Sequence, residues 1–166
     1  MVATLPVIFY IPTTGALGML FPLSNKNQQE EIAMSAVTEI PAASSHEAIE
    51  HFTRRLSVET DCSDVNTAMN AGDMDFVLLH VVGTQESFAR RHVPNAIHLP
   101  HKTITPARMN EWSEDTLFVV YCAGPHCNGA DQAALKLAKL GRPVKIMIGG
   151  LTGWEDEGLP FTTEKN

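Results

Sequence analysis

Three strongly apolar runs of strand length constrain this 166-residue chain more than anything else in it: FVLLHVV (76–82), LFVVYC (117–122) and PVKIMIGG (143–150). The first two hardly alternate polar with apolar residues, which marks strands covered on both faces. Between them the apolar residues recur at helical spacing. Alternation of the two patterns predicts an α/β fold with a mainly parallel central sheet and helices on both faces.

The helical stretches carry their own start and stop signals. Ser45 is placed to cap a helix bearing Ala48, Ile49, Phe52 and Leu56, and LSVET (56–60) reads as a short strand after it. Ser63 opens a second helix through Val65, Ala68 and Met69 that Gly72 stops. Thr84 caps a helical turn over 84–91, AIHL (96–99) is a short strand, and Thr105-Pro106 starts another helix. The stretch 128–140 puts Ala130, Ala133, Ala134, Leu137 and Leu140 on one face. Gly141 closes it, and Asp131 early with Lys136 and Lys139 late agrees with the helix dipole.

We divide the chain into an extension and linker over 1–44 and one domain over 45–166. Residues 1–23 carry no charge, but Pro6, Pro12 and Pro22 interrupt a segment barely long enough to span a membrane. There is neither a basic start nor an unbroken apolar centre of the kind a secretory signal needs. Three readings stay open: an extension outside the native start, with Met34 as the first residue; a membrane or export segment; or ordered structure. The net charge of −7, with no basic stripe, argues against nucleic acid or an anionic membrane as the main partner. Three cysteines do not make a secreted disulfide framework, so a reducing, cytoplasmic setting is expected.

Chemistry concentrates in YCAGPHCNGADQ (121–132). Cys122 ends an apolar strand and a helix begins near Asn128, so the intervening loop lies where open α/β sheets bind ligands. Gly124 and Gly129 allow the loop to curl its N–H groups around the sulfur, with the helix N-terminus behind. Such a setting is expected to lower the Cys122 pKa below the free value of ~8.5 and to suit an anionic sulfur nucleophile. A buried inert cysteine and a Cys122–Cys127 disulfide are the alternatives. Zinc would need a fourth ligand beside Cys122, His126 and Cys127.

The segment 121–161 resembles the C-terminal half of a rhodanese domain: a strand, a catalytic cysteine loop, a helix, a strand, then Gly149, Gly150 and Trp154 in a Gly-Gly-x-x-x-Trp pattern. Upstream, Glu86, Phe88, His92, Pro94, Ala96, Ile97 and Pro100 match a motif usually written D-V-R-x-x-x-E-[FY]-x-x-G-H-I-P-G-A-I-x-[IL]-P. The similarity covers roughly residues 50–162. It implies a single-domain sulfurtransferase in which Cys122 takes a sulfane sulfur from a small anionic donor such as thiosulfate. The sulfur would pass to cyanide or a thiol, with no cofactor. Ala123, Gly124, His126, Cys127, Asn128 and Gly129 would form the substrate-binding loop, their amides holding the anionic sulfur.

The departures are specific. His80-Val81-Val82 replaces Asp-Val-Arg, Arg91 and Asn95 replace two glycines, and the loop carries no Arg or Lys. Those absences weaken the case for a dianionic donor and motivate a second reading, a non-catalytic rhodanese-like binding or sensing module. His80 is expected to be a neutral strand histidine with a local hydrogen bond, and Trp112 and Trp154 to be core or rim. Cysteine phosphatases and arsenate reductases, some of which resemble this fold, use C-x5-R; Asn128 stands at the Arg position here.

Overall fold

In the computed structural model, residues 34–163 are described, so the readings of 1–33 lie outside the described residues. The chain divides into Met1–Ala42 and Ala43–Asn166. Of the first unit, 34–42 hold a turn in which Thr38 and Glu39 donate N–H to the Ser35 carbonyl. Among the described residues no helix is long and apolar enough to cross a membrane.

The second unit is built on five parallel strands in the order β1-β5-β4-β2-β3. These are β1 (Glu59–Thr60), β2 (Phe76–His80), β3 (Ile97–His98), β4 (Leu117–Tyr121) and β5 (Val144–Met147). Six helices accompany them: α1 (Ser45–Val58), α2 (Cys62–Ala71), α3 (Gln85–Arg90), α4 (Pro106–Met109), α5 (Gly129–Lys139) and α6 (Gly150–Asp156). Successive strand residues point to opposite faces, and two separate cores result. Leu79, Phe118 and Val120 meet Met109, Ala133 and Leu137 on one face; Leu78, Val119 and Tyr121 meet Val65, Met147 and Trp154 on the other. The double coverage expected from the apolar runs is present, with β4 central.

Element ends differ from the sequence reading for local reasons. Ser44, not Ser45, caps α1, because Glu47 three residues on returns a hydrogen bond to the Ser44 N–H at 3.0 Å. That helix runs through Val58, leaving only Glu59 and Thr60 of LSVET to pair with Ile146 and Met147. Asp61 rather than Ser63 starts α2, accepting the Asp64 N–H at 2.8 Å. The Thr84 and Thr105 caps are where the sequence puts them. PVKIMIGG is not one strand, since β5 stops at Met147 and the chain turns through Gly149 and Gly150 into α6. Asn95 sits at φ 61°, the conformation its glycine-like position requires.

The longest of these helices, α1, buries none of its side chains; Ile49, Phe52 and Leu56 are 65%, 55% and 69% exposed. Its cap, an Arg55–Glu59 pair at 2.7 Å and the Lys145 ammonium on the Leu56 carbonyl at 2.9 Å hold it in place.

His80 ends β2 fully packed, stacked on Tyr121 at 4.8 Å and facing His98 and Phe88. It is neutral as expected, but the local hydrogen bond is missing: its Nδ1 has no partner. Burial, reinforced by His98 and His92, lowers its pKa to about 4. The unfolded chain, with His80 near 6.5, therefore binds the proton first as pH falls. Stability from this residue is complete above pH 6.5 and is lost as pH falls toward 4, by about 3 kcal/mol. Urea unfolding across that window should show a steeper acid slope in the wild type than in His80→Phe; equal slopes would contradict the assignment.

Candidate functional site

Cys122 is the first residue past β4, 4% exposed, and the polypeptide then loops to Asn128 before α5 begins. The loop folds on itself through a Cys127 N–H to Gly124 carbonyl bond of 3.0 Å. Its back is clasped by α6. The Cys122 carbonyl accepts the Leu151 N–H at 3.0 Å, and the Ala123 carbonyl accepts both the N–H and the hydroxyl of Thr152 at 3.0 Å. A Cβ at Gly150 would stand 2.3 Å from the Cys122 carbonyl oxygen, and Gly150 has φ 59°. A Cβ at Gly124 would meet Thr152 Oγ1 at 2.6 Å. Glycine is therefore needed at position 150, where backbone blocks a side chain, whereas at 124 the Thr152 side chain would have to give way.

Two sulfurs converge in front of this clasp. The Cys122 thiol donates to the Cys127 carbonyl at 3.0 Å, with the Gly124 carbonyl at 3.8 Å. A Cβ at Gly129 would lie 3.3 Å from Cys127 Sγ and 3.5 Å from Cys122 Cβ, so both cysteines gather over that bare α-carbon. The amide ring expected from the sequence is divided between them. The Ala130 and Gly124 amides favour the charged form of Cys122, while those of Gly129 and Ala123 favour that of Cys127.

The expected acidic Cys122 is reversed. Burial among Leu79, Val81 and Val120 pushes its thiol up, the Ala130 and Gly124 amides offset this only in part, and Cys127 adds to the rise. Burial also pushes Cys127 up, but the Gly129 amide, the Cys122 thiol and the Ala123 amide together hold it below the ordinary thiol range, against Asp131. The more acidic sulfur is the half-buried second one. Cys62 lies behind the Gly149–Gly150 turn, donating weakly to the Ile148 carbonyl at 3.5 Å, and burial raises it to about 11.

A cavity of about 220 Å³ opens in front of Cys122, walled by Gly124, Pro125, Cys127, Ile146 and Ile148, with Glu59 and Asp131 at its edges. Among the described residues no Lys, Arg or His lines it, and Arg55 is paired with Glu59. His126 and Asn128 are exposed and line a separate open hollow with Pro125, Cys127 and Asp131. The structure thus brings Ala123, Gly124, Cys127 and Gly129 to the sulfur and leaves the His126 and Asn128 side chains outside the Cys122 cavity. Ala130, Thr152, Ile148 and Glu59 went unnoticed in the sequence. Only Gly149-Gly150 signalled that a distant segment would back the loop. Trp154 is fully buried with its indole N–H on the Pro160 carbonyl, and Trp112 packs on Phe118.

A family model described as the rhodanese-like domain matches residues 62–157. A Bacillus halodurans protein of known structure is 33% identical, with a TM-score of 0.69 over 72% of this chain and 87% of its own. A rhodanese-like domain protein from Staphylococcus aureus is 21% identical, with a TM-score of 0.54 over 65% of this chain and 99% of its own. A thiosulfate sulfurtransferase from Pseudomonas aeruginosa is 18% identical, with a TM-score of 0.53 over 69% of this chain and 22% of its own. The last two share the fold.

The proton distribution orders the three thiols. At pH 8 iodoacetamide should label Cys127 first, Cys122 more slowly and Cys62 last, with ~10-fold or more between the extremes. Peptide mapping reads the order, and Cys122 reacting fastest would contradict it.

Proposed function

Because the chain belongs to the rhodanese-like domain family and has a sulfurtransferase-type fold, we propose that it moves sulfane sulfur through a persulfide on Cys122. The observation that carries this reading is the place of that sulfur. It follows the central strand directly, at the floor of a cavity, where the Gly124 and Ala130 amides favour its charged form.

The raised pKa belongs to the resting thiol. A persulfide bears its charge on the outer sulfur, about 2 Å further out, beyond the packed floor and in reach of the cavity. In the first half-reaction Cys122 Sγ attacks the outer sulfur of a donor persulfide. The bond to the donor thiolate breaks, and the Cys122 proton leaves with that thiolate. In the second, an acceptor thiolate attacks the outer sulfur of the Cys122 persulfide and the bond to Cys122 Sγ breaks. The released Cys122 thiolate takes a proton from the new persulfide or from water to return to its resting form. The loop amides stabilise negative charge in both steps.

The cavity wall bears on the donor class. Among the described residues no cation lines the cavity, and Asp131 flanks its opening beside a Glu59 already paired with Arg55, so a dianion such as thiosulfate is disfavoured on approach. A thiol-borne persulfide with one charge or none is favoured instead. Burial of Cys122 in an aliphatic setting supports a second reading, a rhodanese-like module that binds without transferring sulfur.

Sulfur transfer from a low-molecular-weight persulfide to a thiol separates the two. Cys122→Ala should lower kcat/KM by ~10³-fold or more while circular dichroism stays unchanged. Transfer that survives the substitution would leave only the binding module. Asp131→Asn should raise kcat/KM for thiosulfate ~3-fold and leave a neutral persulfide donor unaffected. No change with thiosulfate would remove the electrostatic account of donor choice.

A further inference from the structure

The sulfurtransferase reading gives Cys127 no step of its own, yet the loop brings it back over Cys122. The Cys127 N–H reaches the Gly124 carbonyl at 3.0 Å, and Cys122 Sγ lies 3.0 Å from the Cys127 carbonyl oxygen. The two side chains share the space above Gly129, where an added Cβ would come within 3.5 Å of both. Cys122 is 4% exposed and Cys127 is half-buried, so a thiol from solution meets position 127 before position 122.

We propose that Cys127 is a resolving thiol: its sulfur attacks Cys122 Sγ in the persulfide state, closing a Cys122–Cys127 disulfide and expelling the sulfane sulfur as hydrogen sulfide. This rests on Cys122 being the persulfide carrier. The step balances without an added oxidant. The persulfide reacts in its protonated form. The bond between Cys122 Sγ and the outer sulfur breaks, the bond between the two cysteine sulfurs forms, and the electron pair leaves on the outer sulfur, which keeps its proton, as HS⁻. The oxidising equivalent is the one the donor delivered. An external thiol or dithiol then reopens the disulfide by exchange at its half-buried, more accessible Cys127 end.

Proximity favours this route, because a nucleophile held beside its target needs no encounter. The Gly129 and Ala123 amides also favour the thiolate of Cys127, against the opposing effect of burial. Inert packing under the loop would leave a persulfide on Cys122 unaffected by what stands at 127. Resolution gives the protein a second outcome. With acceptor thiol present it passes sulfur on; with acceptor scarce it releases sulfide and stops in an oxidised form.

The test treats full-length protein anaerobically with one equivalent of glutathione persulfide and removes the small thiols. Intact mass, peptide mapping after iodoacetamide and released sulfide are then followed. In the wild type, the adduct of one sulfur atom should decay into a species two hydrogens lighter than the starting protein, with one equivalent of sulfide. In Cys127→Ser and Cys127→Ala the adduct should stay on Cys122 ~10-fold longer or more. A wild-type adduct as long-lived as that of the variants would overturn the proposal and leave the carrier reading standing. So would a sulfane sulfur that maps to Cys127. If the variants acquire no sulfur at Cys122, the carrier reading itself falls and the proposal falls with it.

Discussion

The Cys122 and Ala123 carbonyls are both taken by the first turn of α6, and the approach is close enough that only a bare α-carbon fits at position 150. This clasp fixes where β4 ends, which way the loop turns and where α5 can begin. It also joins two segments that the sequence separates, so the loop is held from behind by a helix rather than by its own glycines. Satisfying those carbonyls from one side leaves the neighbouring amides free to point forward at sulfur. The division of those amides between two cysteines follows from a backbone that has no other direction to offer them.

From that division comes the inverted acidity of the pair. A single sulfur in the ring would receive all the donors; two sulfurs share them, and the one with more solvent gains more. Cys122 is left as a packed thiol whose charge is better carried one atom further out. The carboxylates at the cavity edge set the sign of what enters, and the empty Lys and Arg positions of the loop set it in the same direction.

Much of the fold was legible because its signals are local. The apolar runs marked β2 and β4 to within two residues, and Thr84, Thr105 and Gly141 punctuated helices as their chemistry requires. Two elements escaped for physical reasons. Four glycines in GGLTGWEDEG, Gly149, Gly150, Gly153 and Gly158, hide α6, because they depress helix propensity where the loop carbonyls supply the partner. Leu56, Ser57 and Val58 of LSVET continue α1, which leaves only Glu59 and Thr60 to pair with β5. At the site, the cysteine and its loop were readable, whereas the pKa of Cys122 was not. The sequence names the glycines but not how a loop divides its amides or how deeply Cys122 is buried in the core that holds Val81 and Val120.

The unburied α1 has a consequence for what counts as the cooperative unit. Ile49, Phe52 and Leu56 stay wet in the native state, so they add almost nothing to the heat-capacity change on unfolding. Melting of α1 would expose little that is not already exposed, and the amides of that helix can open without the sheet giving way. The thermodynamic domain therefore starts at β1, and α1 behaves as an outrigger that governs surface stickiness more than it governs the melting temperature.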